Sequence, residues 1–102
     1  MDFSGQIVLI TGASRGIGAA TAEHFASLGA QVALTARSEG ELVKLAEKIG
    51  PKALAIACDV ADFQHVQAAV DQTVAQFGRL DIVINNAGLP LPVHRLVDFQ
   101  PA

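Results

Sequence analysis

An unbroken apolar run, Ile7-Val8-Leu9-Ile10, leads directly into Thr11-Gly12-Ala13-Ser14-Arg15-Gly16-Ile17-Gly18, and apolar residues at helical spacing follow. A strand, a glycine-rich turn and a helix start, in that order, leave a chain few ways to fold. The first amides of a helix have no partners within it, and the peptide dipoles add partial positive charge there, so the turn forms an anion cradle. Glycines let the main chain turn tightly and let a pyrophosphate approach with no Cβ in the way. The spacing is Gly-x-x-x-Gly-x-Gly, distinct from the commoner Gly-x-Gly-x-x-Gly.

Three more apolar runs follow the first: Val32–Ala36, Ala53–Ala57 and Ile82–Ile84. All are continuous rather than alternating, which suits strands covered on both faces of a parallel sheet. Between them, Ile17, Ala20, Thr21, His24, Phe25 and Leu28 predict a helix whose apolar face includes His24, with Gly29 as its stop. Leu42, Leu45, Ala46 and Ile49 predict a second, ending at Gly50-Pro51. Val66, Val70, Thr73, Val74 and Phe77 predict a third, with Asp62 as N-cap and Gly78 past its end. The order βαβαβαβ implies right-handed crossovers and an α/β, Rossmann-type, doubly wound parallel sheet of strand order 3-2-1-4. Such sheets bind ligands at the carboxyl ends of their strands. Residues 1–88 are read as this nucleotide-binding portion. Residues 89–102, opened by Leu89-Pro90-Leu91-Pro92, are read as a loop or tail leading to a missing carboxyl-terminal half.

Composition narrows the field. At 102 residues, 51% hydrophobic and with a net charge of -3, the chain is expected to be one ordered domain. Its acidic balance argues against nucleic acid or anionic lipid as partners. No apolar run approaches the roughly 18 residues of a membrane span, and Met1–Gln6 lacks the pattern of a signal peptide. The expectation is a soluble cytoplasmic protein. The single cysteine, Cys58, excludes an internal disulfide and reads as a small core residue rather than a nucleophile. The spacing of His24, His65 and His94 gives no metal motif.

Each remaining strand end adds a chemical feature. Thr35-Ala36-Arg37-Ser38 lies where an acid would bind the adenosine ribose hydroxyls and favour NAD. Arg37 can instead grip a 2′-phosphate, with Arg15 as a second charge, which predicts NADP (NADPH) preferred over NAD. Either arginine alone could equally be a solvated surface residue. Asp59-Val60 can accept a hydrogen bond from an adenine amine and pack on its ring, or Asp59 can be a turn or capping residue. Asn85-Asn86-Ala87-Gly88 can tie strand ends together and leave room for a cofactor, or form a plain turn.

Together these motifs resemble the short-chain dehydrogenases/reductases from about Phe3 to Gly88, nearest the carbonyl and beta-ketoacyl carrier-protein reductases. The resemblance implies that Gly12, Ser14, Arg15 and Ile17, in the loop completed by Gly16 and Gly18, contact the pyrophosphate and adenosine side of the cofactor. It gives Arg37 the 2′-phosphate, Asp59 and Val60 the adenine, and Asn86, Ala87 and Gly88 the nicotinamide-side ribose. Members of the family use a Tyr-x-x-x-Lys pair and a serine for catalysis. This sequence contains no tyrosine, so no catalytic residue is assigned, and no metal ligand either. The expectation is the amino-terminal portion of a homo-oligomeric oxidoreductase that moves hydride between nicotinamide and a carbonyl or alcohol carbon, the 102-residue chain alone being inactive. The alternatives are a non-catalytic dinucleotide-binding sensor or interaction module, and a non-functional remnant. An unblunted apolar edge at Ile82-Val83-Ile84 favours the first reading.

Overall fold

The computed structural model describes residues 2–14, 16–59 and 61–86. Four strands alternate with three helices: β1 (Ile7–Thr11), α1 (Gly16–Ser27), β2 (Gln31–Ala36), α2 (Glu39–Ile49), β3 (Ala53–Ala57), α3 (Phe63–Phe77) and β4 (Ile82–Ile84). The sheet order is β3-β2-β1-β4, and every pairing is parallel. The chain therefore steps outward from β1 to β3 and then returns to the other side of β1. The strand order reverses between β1 and β4, the place where sheets of this type open a crevice for ligands.

Side chains of alternate strand residues divide the core in two. Val8, Ile10, Val32 and Leu34 face α1 and α2, where Ala22, Leu42 and Leu45 meet them. Ile7, Leu9 and Ile56 face α3 through Val66, Ala69 and Val70. Strands covered on both faces need apolar residues at every position, which is why the runs are continuous. Burying a Val, Leu or Ile side chain contributes about 1.5–3 kcal/mol, so β1 and β2, buried at nearly every position, hold the sheet together. In contrast, β4 is half-buried throughout and pairs only with β1 among the described residues.

The helix ends follow their predicted signals. Asp62 caps α3 by accepting the Gln64 amide at 2.9 Å and the His65 amide at 3.4 Å. Gly78, at φ 88°, ends the same helix in the left-handed region and donates to the Val74 carbonyl at 2.7 Å. After α1, Gly29 donates to Ala26 and Ala30 to Phe25, a closure that needs Gly29 at φ 99°.

One expectation is corrected. His24 is exposed rather than packed on the apolar face of α1, and Ile17 is 76% exposed. The buried residues of α1 are Gly18 and Ala22, with Ala19 and Phe25 packed against the same cluster. At Gly18 the helix lies so close to the loop before it that a Cβ would not fit. The first turns of its seam are therefore small residues, and the one large residue packed on the cluster, Phe25, lies further along.

At the opposite end of the sheet, Asp81 fixes the register of β4. Its carboxylate accepts the Ile7 amide at 2.8 Å, its own amide donates to the Ile7 carbonyl at 3.0 Å, and Arg79 Nε donates to it at 2.9 Å.

Candidate functional site

The carboxyl ends of β1 and β4 are joined through Thr11, a buried polar residue. Its hydroxyl accepts the Asn86 amide at 2.9 Å and donates to Asn85 Oδ1 at 3.1 Å, with the Ile84 carbonyl at 3.4 Å as an alternative acceptor. Asn86 Nδ2 in turn donates to the Gly12 carbonyl at 3.4 Å. Gly18 lies against that same junction: a Cβ there would collide with the Gly12 carbonyl and sit 2.7 Å from Asn86 Nδ2. On the other side the Ala13 amide donates to the Thr35 carbonyl of β2 at 3.0 Å. The turn between β1 and α1 is thus pinned to both neighbouring strands, with Gly12 and Gly16 each at φ 61°.

Geometry and electrostatics make this turn a place for an anion. Among the described residues, a Cβ on Gly16 would meet nothing within 4 Å, so none of them covers the start of α1 at that point. The helix carries no acid in its first turn, whereas α2 carries Glu39 and Glu41 and α3 is capped by Asp62. In α2 and α3 the partial positive charge of the N-terminus is therefore answered by the chain's own carboxylates. In α1 no first-turn carboxylate competes with an incoming phosphate. Ser14 is half-buried in the loop, and Ile17 projects from the first turn beside the opening.

The ends of β2 and β3 continue the row. Arg37 directly follows β2 and is exposed, and Ala36, Arg37 and Ser38 place no carboxylate there. Asp59 follows β3 at half-burial. Its Oδ1 accepts the Ala61 amide at 3.0 Å, and its carbonyl accepts the Asp62 amide at 2.9 Å. Its Oδ2 has no hydrogen-bond partner among the described residues. Asp59 is thus a turn residue with one carboxylate oxygen unpaired among the described residues. The adjacent Cys58 is buried; burial first, then the Asp59 and Asp62 carboxylates, push its thiol up from its ordinary value. It therefore stays a neutral core thiol.

Gly12, Ser14, Gly16, Ile17, Gly18, Arg37, Asp59 and Asn86 all lie along the carboxyl edge of the sheet or on the loop and helix start beside it. Arg15, Val60, Ala87 and Gly88 lie outside the described residues, as does the 89–102 segment. Two hydrogen-bonding roles escaped sequence reasoning. Thr11 acts through partners more than 70 residues away, and His65 reaches back to the Asp59 amide with Nδ1 at 3.2 Å. No group of side chains that could hold a metal ion occurs among the described residues, and no helix there is long and apolar enough to cross a membrane.

Comparison with known proteins agrees with this geometry. The family model for short chain dehydrogenase matches residues 6–101. The chain is 40% identical over 89 residues to the 3-oxoacyl-(acyl-carrier-protein) reductase of Escherichia coli, covering 87% of this chain and 36% of that protein. It is 47% identical over 85 residues to tropinone reductase-like 2 of Erythroxylum coca, covering 83% of this chain and 31% of that protein. The crystal structure of a 3-ketoacyl-(acyl-carrier-protein) reductase from Brucella melitensis, complexed with NADH, superposes with a TM-score of 0.80 at 34% identity, covering 94% of this chain and 44% of that one. The chain spans about a third of the length of these curated relatives. On the family match and the shared parallel sheet together, the chain belongs to the short-chain dehydrogenase family.

Proposed function

We propose that this chain is the dinucleotide-binding portion of an NADP(H)-dependent oxidoreductase acting between a carbonyl and an alcohol. The observation that carries the reading is the acid-free start of α1, uncovered among the described residues and pinned by Thr11, Gly18 and Asn86 at the point where the strand order reverses. The glycine loop would hold the pyrophosphate, with Ser14, Arg15 and Ile17 towards the adenosine side. Asp59 and Val60 would hold the adenine, and Asn86, Ala87 and Gly88 the nicotinamide-side ribose. The bound nicotinamide supplies or accepts the hydride; this chain orients it and keeps its phosphates neutralised.

Arg37 supports NADP over NAD. It stands beside the predicted 2′-phosphate position with no carboxylate at residues 36–38 to repel that group. A charge-assisted pair of this kind contributes about 1.5–3 kcal/mol, a roughly tenfold to hundredfold preference. Proton transfer to the substrate is assigned to residues outside this chain, because it has no tyrosine. On this reading the whole protein works in the cytoplasm as a homo-oligomer, and the 102-residue chain alone binds cofactor without turnover.

The test is an equilibrium titration of the chain with NADPH and NADH, repeated on Arg37→Ala. The expected result is tighter NADPH binding that falls to the NADH level in the variant. Equal affinities in the unmodified chain, or a preference unchanged by Arg37→Ala, would sink the cofactor assignment. Carbonyl reduction by the chain alone would refute the division of labour.

A further inference from the structure

We infer that His65 is a positioning residue for the adenine end of the site, a role that rests on the dinucleotide reading above. In the parallel ladder, the Cys58 amide is the last in this segment to find a strand partner, donating to the Ala36 carbonyl at 2.9 Å. The next amide, that of Asp59, has no strand beside it among the described residues. His65 supplies the missing acceptor: from the first turn of α3 its Nδ1 takes the Asp59 amide at 3.2 Å. An acceptor Nδ1 means that the neutral ring carries its proton on Nε2. That nitrogen faces Asp62 Oδ2 at 3.7 Å, so the carboxylate that caps α3 also favours this tautomer.

The consequence falls on Asp59. Its amide is held by His65, its carbonyl by the Asp62 amide and its Oδ1 by the Ala61 amide. With these three groups tethered, the uncommitted Oδ2 keeps one direction. An adenine amine would then meet a preset acceptor instead of ordering a loose turn, which lowers the entropic penalty of binding. His65 touches no cofactor atom in this account. It acts only through the backbone of Asp59.

The experiment measures binding of 2′,5′-ADP, which carries the adenine end, and of nicotinamide mononucleotide, which carries the other end. Both are titrated into the unmodified chain, His65→Leu and His65→Asn. Asparagine can offer an amide oxygen near the place of Nδ1. The expected result is a loss of 2′,5′-ADP affinity of about two- to tenfold in His65→Leu, recovery in His65→Asn, and no change for the mononucleotide. The Asp59 amide proton resonance should move upfield in His65→Leu, and the nitrogen spectrum should show His65 Nδ1 unprotonated. Unchanged 2′,5′-ADP binding in His65→Leu, a loss that asparagine does not restore, or an unmoved Asp59 amide would each overturn the positioning role and leave the dinucleotide reading intact. If the unmodified chain binds no 2′,5′-ADP at all, the dinucleotide reading fails, and this role fails with it.

Discussion

Gly16 and Gly18, two residues apart, illustrate how much a single methyl group decides. At Gly18 the backbone is ordinary helix, but an added Cβ would strike the Gly12 carbonyl and press on Asn86. At Gly16 the space is open among the described residues, but φ is 61°. Gly18→Ala should therefore cost about 1–3 kcal/mol through overpacking and should also disturb the glycine turn between β1 and α1. Gly16→Ala should cost about 1–2 kcal/mol through backbone strain alone. Urea denaturation of both variants, paired with NADPH titration, separates collision from strain. Thr11→Val should leave the half-buried Asn86 amide without its acceptor and cost about 0.5–1.5 kcal/mol in the same assay. The glycines were legible in the sequence because their spacing is local. Thr11 was not, since its partners Asn85 and Asn86 lie at the far end of the described chain and meet it only once the sheet has formed.

Among the elements, α1 shows where hydropathy misleads. A pattern scored by apolar character selects Ile17 and places His24 inward, yet both are exposed and the seam is Gly18, Ala19, Ala22 and Phe25. For α2 and α3 the buried faces are Leu- and Val-rich, and there the pattern and the structure coincide. Caps were legible for the same local reason: Asp62→Ala should lower stability by about 0.5–2 kcal/mol in thermal unfolding. The attachment of β4 carries a pH signature. Burial pushes the Asp81 carboxyl up, but hydrogen bonds from Arg79 and the Ile7 amide, with the Arg79 charge, outweigh it and hold the group below its usual 3.8. A carboxyl depressed by folding stabilises the protein above its unfolded value, and that contribution fades as pH falls through the folded value. Stability measured at neutral and at strongly acidic pH should therefore differ less in Asp81→Ala than in the unmodified chain. At neutral pH the variant should be weaker by about 1.5–3 kcal/mol, the contribution of a hydrogen bond to a charged group.

For the whole molecule, the order of strands was readable from the alternation of apolar runs and helical patterns, because right-handed crossovers leave few topologies. The uneven hold on those strands was not. Five register pairs join β1 to β2, but only three join β1 to β4, and β4 is half-buried at every position where β1 is fully buried. Hydrogen exchange should accordingly release the amides of β4 well before those of β1 and β2. The same asymmetry places the proposed site at the boundary between the firm and the loose parts of the sheet, where Asn86 and Thr11 cross it.

The most direct test of the account is a map of backbone amide shifts as NADPH is added to the chain. The predicted perturbations gather at Gly12–Gly18, Arg37, Asp59 and Asn86, along one edge of the sheet. Perturbations centred instead on the opposite end, around Glu23, Lys48 and Lys52, or no saturable change at all, would contradict it.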